Sequence, residues 1–264
     1  MKDKVVVITG ASGGIGAALG QLVGQGGGRP VLAARREKEL HEVASQCGHD
    51  ALAVVTDVTR YDEVQRLLDA AIDRFGQVDV WVNNAGRGIT RPVAELTDED
   101  FDEMMLVNVK SALYGMQVVL PHFQARRRGH IINLSSMLSR LPYVSVRSAY
   151  SAAKHALNAL TANLRMDLTQ PFPDIHVSSV HPGPVATDFG TNALHGGTDS
   201  RKMPMAQTPE EVAGIIAELI EAPRADVYTR PGSQEQVVAY YSAEDLGAVE
   251  AQPPFMPAGV GGRK

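Results

Sequence analysis

KVVVITGASGGIG, residues 4–16, is the stretch from which the rest of the chain is read. Four apolar residues, Val5 to Ile8, run straight into a glycine cluster, and a helical pattern begins near residue 14. The apolar run is too short for the core of a signal peptide and far below a membrane span. A strand that turns through glycines into a helix opens a strand-helix-strand unit. In TGASGGIG (9–16), small residues leave the backbone amides open at the positive end of the coming helix, where an anionic pyrophosphate would be held. The spacing Gly10-x3-Gly14-x-Gly16 departs from GxGxxG. Glycines alone mark such a site weakly; their place between strand and helix strengthens the reading.

Outward from this stretch, short apolar runs alternate with segments of helical period. Strands are expected at 4–9, 30–34, 51–56, 78–82, 130–135 and 175–180, with helices at 14–26, 37–47, 60–75, 98–123 and 149–169. A further helix over about 208–221, announced by Thr208-Pro209-Glu210-Glu211, precedes a last strand near Val227. Continuous rather than alternating apolar strands call for a sheet covered on both faces. The class is therefore α/β, doubly wound, with a mostly parallel seven-stranded sheet in a single Rossmann-like domain over 1–241. Residues 188–206 lack strong periodicity and follow the sixth strand, so they read either as a flap over a substrate pocket or as a plain surface loop. Residues 242–264, rich in Pro and Gly at the end, read as an irregular tail.

Composition narrows the function classes. A net charge of -5 and a single basic run, Arg126 to Arg128, give no sign of a nucleic-acid partner. Cys47 is the sole cysteine and the eight histidines form no HExxH-like cluster, so neither a disulfide nor a metal site is expected. No membrane partner is indicated, and a cytoplasmic protein is expected.

The second strand ends in Ala34, Arg35 and Arg36. An acid there would bind a ribose 2'-hydroxyl, whereas two guanidiniums suit a 2'-phosphate, which favours NADP(H) over NAD(H). The arginines could also be solvated surface. Asp57, with Val58 after it, ends the third strand, placed to accept from an adenine amino group or to cap a helix. Asn83-Asn84-Ala85-Gly86 ends the fourth, where two amides can tie strand ends together and the glycine lets a flat ring approach.

YSAAK (150–154) sets Tyr150 and Lys154 on one helical face. A free tyrosine, with a pKa of about 10, is a poor base near neutrality, and an adjacent ammonium is expected to lower that value. Of the two serines in NLSSM, Ser135 is expected to face away from Ser136. His155 and His181 read as structural.

With TGxxxGIG, NNAG, a serine, YxxxK and HPGPVAT in order over residues 4–230, the chain resembles the short-chain dehydrogenase/reductase family. The resemblance implies Tyr150 as general acid or base, Lys154 as its partner and ribose ligand, Ser136 orienting a carbonyl, and Asn108 of LVNVK supporting a water relay. It implies cofactor contacts from Gly10, Ser12, Gly14, Ile15, Gly16, Asn84, Ala85 and Gly86, and from Pro182, Gly183, Val185 and Thr187 in HPGPVAT. It further implies a homodimer or homotetramer built on the long helices over 98–123 and 149–169. Relatives that prefer NADP often carry a basic residue where this chain has Gly13. The expected activity is NADP(H)-dependent interconversion of a carbonyl and a secondary alcohol, in a largely apolar pocket walled by Leu138, Pro142, Tyr143, Pro184, Phe189 and Met203. A lyase or epimerase on the same fold, or a cofactor sensor without turnover, are the competing readings; an intact Tyr, Lys and Ser set disfavours the sensor.

Overall fold

The computed structural model describes residues 1–255. Seven strands form one sheet in the order β3-β2-β1-β4-β5-β6-β7, every pair parallel. They span Val5–Thr9 (β1), Arg29–Ala34 (β2), Leu52–Val55 (β3), Val80–Asn83 (β4), Gly129–Leu134 (β5), Ile175–His181 (β6) and Asp226–Tyr228 (β7). Helices Gly14–Gln25 (α1), Glu37–Gln46 (α2), Tyr61–Phe75 (α3), Asp98–Met105 (α4), Ser111–Arg126 (α5), Ser148–Thr169 (α6) and Pro209–Glu221 (α7) make the crossovers.

The pleat of β1 divides the core. Val6 and Ile8 pack beneath α1, α2 and α7 with Leu19, Leu40 and Ile216, while Val5 and Val7 join Leu67, Phe123 and Leu157 of α3, α5 and α6 on the other face. The strands read as continuous apolar runs because both faces are dry. Close helix packing explains the glycines inside α1: a Cβ on Gly24 would sit 1.9 Å from the Cys47 carbonyl oxygen, and one on Gly20 would meet Leu32 at 2.7 Å. Thr208 and Glu211 form a reciprocal capping box with Pro209 at the first turn of α7, as the start signal implied.

Three elements differ from the sequence reading. The helix expected over 98–123 is interrupted by a π turn, Leu106–Lys110, between α4 and α5, and runs on to Arg126. Two short helices, Ser233–Tyr241 (α8) and Leu246–Glu250 (α9), follow β7. The second corrects the reading of 242–264 as irregular: Asp245 caps α9 by accepting from the Ala248 amide, and Tyr240 bonds Glu250. Phe255 stacks on Tyr143 at 4.9 Å between ring centres, so this segment is docked on the body; residues 256–264 of the expected tail lie outside the described residues. No helix among the described residues is long and apolar enough to cross a membrane, and no group of three metal-ligating side chains occurs among them.

Candidate active site

Strand order reverses at β1, between β2 and β4, and a crevice opens at that switch, beyond the carboxyl ends of the strands. It encloses about 700 Å³. The turn after β1 forms one end. Gly10 and Gly14 have φ of 68° and 55°, a region open to glycine at no steric cost. A Cβ on Gly10 would sit 2.9 Å from Ala85 Cα, and one on Gly16 would sit 2.7 Å from both Asn84 Nδ2 and the Gly10 carbonyl oxygen. Gly13 opens α1 with no side-chain cap, which leaves the first amides of the helix to a ligand. This donor set fits the pyrophosphate of a dinucleotide.

Asn83 and Asn84 fasten the strand ends, as expected. Asn83 accepts from Trp81 Nε1 at 2.8 Å and donates to Asn133 Oδ1 at 2.8 Å, joining β4 to β5. Asn84 donates to the Thr9 carbonyl at 2.8 Å and joins β4 to β1. Arg36 lies over the glycine turn, its Nε and Nη2 each 3.1 Å from Ser12 acceptors and its Nη1 3.5 Å from Glu39. Arg36 borders the crevice; Arg35 does not, and its charge acts on Asp57. Asp57 accepts from the Thr59 amide and hydroxyl through Oδ1, closing a local turn. Val58 packs on the core beside α3.

The other half is built on α6 and the end of β5. Tyr150 and Lys154 are both buried, at 6% and 3% exposure, and both line the crevice. Tyr150 meets Phe189 edge-on at 5.4 Å, and Lys154 Nζ stands 5.7 Å from the Tyr150 ring centre while donating to the Leu134 carbonyl at 2.7 Å. Burial pushes the phenol up to about 12; the nearby Ser136 hydroxyl and Arg147 guanidinium pull the other way without prevailing. Burial also brings the Lys154 ammonium down to about 8. The expectation that Lys154 lowers the tyrosine's pKa is therefore not met in the protein alone, because loss of water around both groups outweighs their attraction.

The two serines lie just past the end of β5 and turn to different partners. Ser135 turns its hydroxyl to Asn158 Oδ1 and Ser139 Oγ, at 2.6 and 3.0 Å, whereas Ser136 faces Tyr150. Asn108 sits in the π turn, an element concentrated at functional sites. Its amide donates to the Arg87 and Met104 carbonyls, and its Oδ1 lies 2.9 Å from where a Cβ on Gly86 would be, with Lys154 Nζ 3.5 Å from the same point. Asn108 thus stands behind Lys154 rather than on the crevice wall. Both histidines hold structure. His181 is buried, stacked on Tyr228 and bonded to Asp226, and His155 bonds the Ser151 carbonyl one turn back.

Of the expected walls, Leu138, Tyr143, Pro184, Phe189 and Met203 line the crevice. Pro142 does not: it is exposed and lies outside the lining. Residues 188–206 border the crevice and are anchored by an Ile89–Leu194 bridge and, at their base, a Val185–Gln207 bridge. Sequence reading passed over Thr90, Arg147 and Asn192, which also face the opening. Only Arg147 carried a local signal, lying three residues before Tyr150 at the N-cap of α6.

Comparison with known proteins places this geometry. A family model described as short chain dehydrogenase matches residues 4–196. An uncharacterized oxidoreductase of Bacillus subtilis is 34% identical over 92% of this chain and 69% of its own length, and one of Staphylococcus aureus is 33% identical over 85% and 94%. Among solved structures, a short chain dehydrogenase/reductase from Burkholderia phymatum in complex with NAD superposes with a TM-score of 0.85 at 26% identity, covering 97% of this chain and 98% of that one. An alcohol dehydrogenase from Thermococcus sibiricus complexed with 5-hydroxy-NADP gives 0.74 at 29% identity, covering 86% and 96%. With its seven parallel strands, its glycine turn and its matched residues 4–196, the chain belongs to the short-chain dehydrogenase/reductase family of oxidoreductases.

Proposed function

We propose that the protein interconverts a carbonyl and a secondary alcohol by hydride transfer with NADP(H), Tyr150 acting as general acid and base. The observation that carries this reading is the buried Tyr150 phenol, which faces Ser136, has Lys154 one turn on, and looks into a crevice whose far end is the uncapped glycine turn. The glycine turn would hold the dinucleotide, which when bound would supply or accept the hydride. As charge grows on the substrate oxygen, the Tyr150 and Ser136 hydroxyls donate to it, and Tyr150 gives up its proton. A phenol held to about 12 stays protonated at neutral pH, which suits the reductive direction. Lys154, within 5.7 Å of the ring centre, steadies the phenolate left behind. Asn108 orients the loop beside Lys154 through Arg87.

For the cofactor, Arg36 over the turn and the missing acid at the end of β2 favour a 2'-phosphate. Related structures hold either dinucleotide: those from Burkholderia phymatum and Brucella melitensis are complexed with NAD and NADH, while a serine dehydrogenase is complexed with NADP+. We also propose a homodimer or homotetramer in the cytoplasm, on the exposed Phe101 of α4 and Met166 of α6 and on the single buried cysteine. The activity is tested with NADPH carrying deuterium at both positions of nicotinamide C4 and a panel of carbonyls. The reading requires an alcohol product one mass unit heavier; a panel that returns only unlabelled products, or none, overturns it.

A further inference from the structure

Of the arginines on the segments that carry the substrate end of the crevice, Arg147 lines it and three others are neutralised nearby. Arg87 pairs with Glu103, Arg91 with Asp100 at 2.9 Å, and Arg201 with Asp188 at 2.8 Å. Arg147 is the exception. Among the described residues no carboxylate pairs with its guanidinium, and the only protein hydrogen bond it makes runs from Nη1 to the Ile89 carbonyl at 3.1 Å. A partly buried cation without a counter-charge is costly, and its burial already lowers its pKa.

What surrounds the free side of Arg147 points to an occupant. Beside Gly197, where an added Cβ would meet the Gly190 carbonyl oxygen at 2.4 Å, the Arg147 Nη2 and the Thr90 hydroxyl lie 2.9 and 3.1 Å from that same point. Thr90 Oγ1 is buried without any hydrogen-bond partner. Thr90 and Arg147 both line the crevice, so two donors without partners stand near each other on its wall. Arg147 is the N-cap of α6, three residues before Tyr150, and its charge acts on the phenol, so an anion at the first lies close to a carbonyl at the second.

We infer that Arg147 and Thr90 form a carboxylate subsite and that the substrate is a short oxo acid, or the matching hydroxy acid, with its carboxylate one or two carbons from the reacting carbon. The inference rests on the carbonyl-reduction reading above and names its substrate class. Nη2 and the Thr90 hydroxyl can each donate to one oxygen of a carboxylate, whose single charge answers that of the unpaired guanidinium. The apolar wall of Leu138, Tyr143 and Phe189 then faces the remaining carbons.

The test compares 2-oxobutanoate and 3-oxobutanoate with their methyl esters, measuring kcat/KM for the wild type, Arg147→Gln and Arg147→Lys. The wild type should prefer at least one acid to its ester by tenfold or more, Arg147→Gln should lose most of that preference, and Arg147→Lys should retain part of it. No preference in the wild type, or an equal fall for acid and ester in Arg147→Gln, overturns the subsite; the latter would mean that Arg147 acts through Tyr150 or through the Ile89 loop. Calorimetric titration of the same acids into the wild type saturated with NADP+ gives a readout free of turnover. Binding of an acid and not of its ester supports the subsite even if no carbonyl is reduced, in which case the activity reading alone falls. Absence of acid binding overturns the subsite whether or not Arg147→Gln folds.

Discussion

Lys154 turns its ammonium to the Leu134 carbonyl at 2.7 Å and stands 5.7 Å from the ring centre of Tyr150, so the two groups share a dry pocket without a direct bond between them. Each suffers from the loss of water. The phenol is driven toward its neutral form and so is the amine, to about 12 and about 8 respectively. In the working pH range the tyrosine is therefore a stored proton and the lysine is the group that titrates.

A pH profile follows from that division. Below about 8 Lys154 is an ammonium and Tyr150 a phenol, the combination that reduction needs. The reductive kcat should be flat through neutrality and fall as pH rises through about 8, well before the phenol ionises. Stability moves the other way over part of this range. The unfolded lysine keeps its proton up to its ordinary 10.5, so between about 8 and 10.5 the unfolded chain binds more protons and the Lys154 contribution to stability rises with pH. Tyr150, raised from 10.0, reverses this trend above about 10, where the unfolded phenol ionises first. Denaturant titrations at pH 7 and 9.5 of the wild type and Lys154→Met check it: the gain on going to pH 9.5 should shrink in the variant.

Cofactor preference should reside in Arg36 more than in Arg35. Arg36 borders the crevice and lies against Ser12, whereas Arg35 is absent from the lining and acts on Asp57 only through its charge. Arg36→Asp should raise the KM for NADPH at least tenfold and improve the use of NADH, with Arg35→Asp having the smaller effect. Steady-state kinetics with both cofactors decides this, and equal effects of the two substitutions would contradict the geometry.

Gly115 is required by the asparagine that ties β4 to β5. A Cβ there would lie 2.2 Å from Asn83 Oδ1 and 2.4 Å from Trp81 Nε1. Gly115→Ala should cost about 1–3 kcal/mol through displacement of this buried network, despite the higher helix propensity of alanine. Thermal unfolding measures the loss, and a variant as stable as the wild type would show that Asn83 yields without cost.

The parts of the fold that sequence made legible are those whose signal is local. Apolar runs such as VVVIT and HIINL fixed the strands because both faces of the sheet are buried, and Thr208-Pro209-Glu210-Glu211 marked α7 by its cap. Family resemblance placed Tyr150, Lys154 and Ser136, and the structure gathers them at one crevice. Other features depend on contacts between distant segments. The π turn at LVNVK keeps a helical period, and only the bonds from Asn108 to Arg87 and Met104 distinguish it. The docking of α8 and α9 rests on Tyr240 meeting Glu250 and Phe255. The upward shift of Tyr150 is a consequence of burial, which the i, i+4 spacing to Lys154 does not report. Arg147 stood beside a conspicuous motif, but its lack of a carboxylate partner among the described residues is visible only once the loops around residues 90 and 197 are folded against it.

The central claim, that the buried Tyr150 hydroxyl is the proton donor, is tested most directly by Tyr150→Phe. The substitution keeps the ring against Phe189 and removes only the hydroxyl. With NADPH binding confirmed by fluorescence titration, single-turnover NADPH oxidation with a carbonyl that the wild type reduces should slow by at least about 10²–10³. A variant that binds the cofactor and reduces the carbonyl at the wild-type rate would contradict the account.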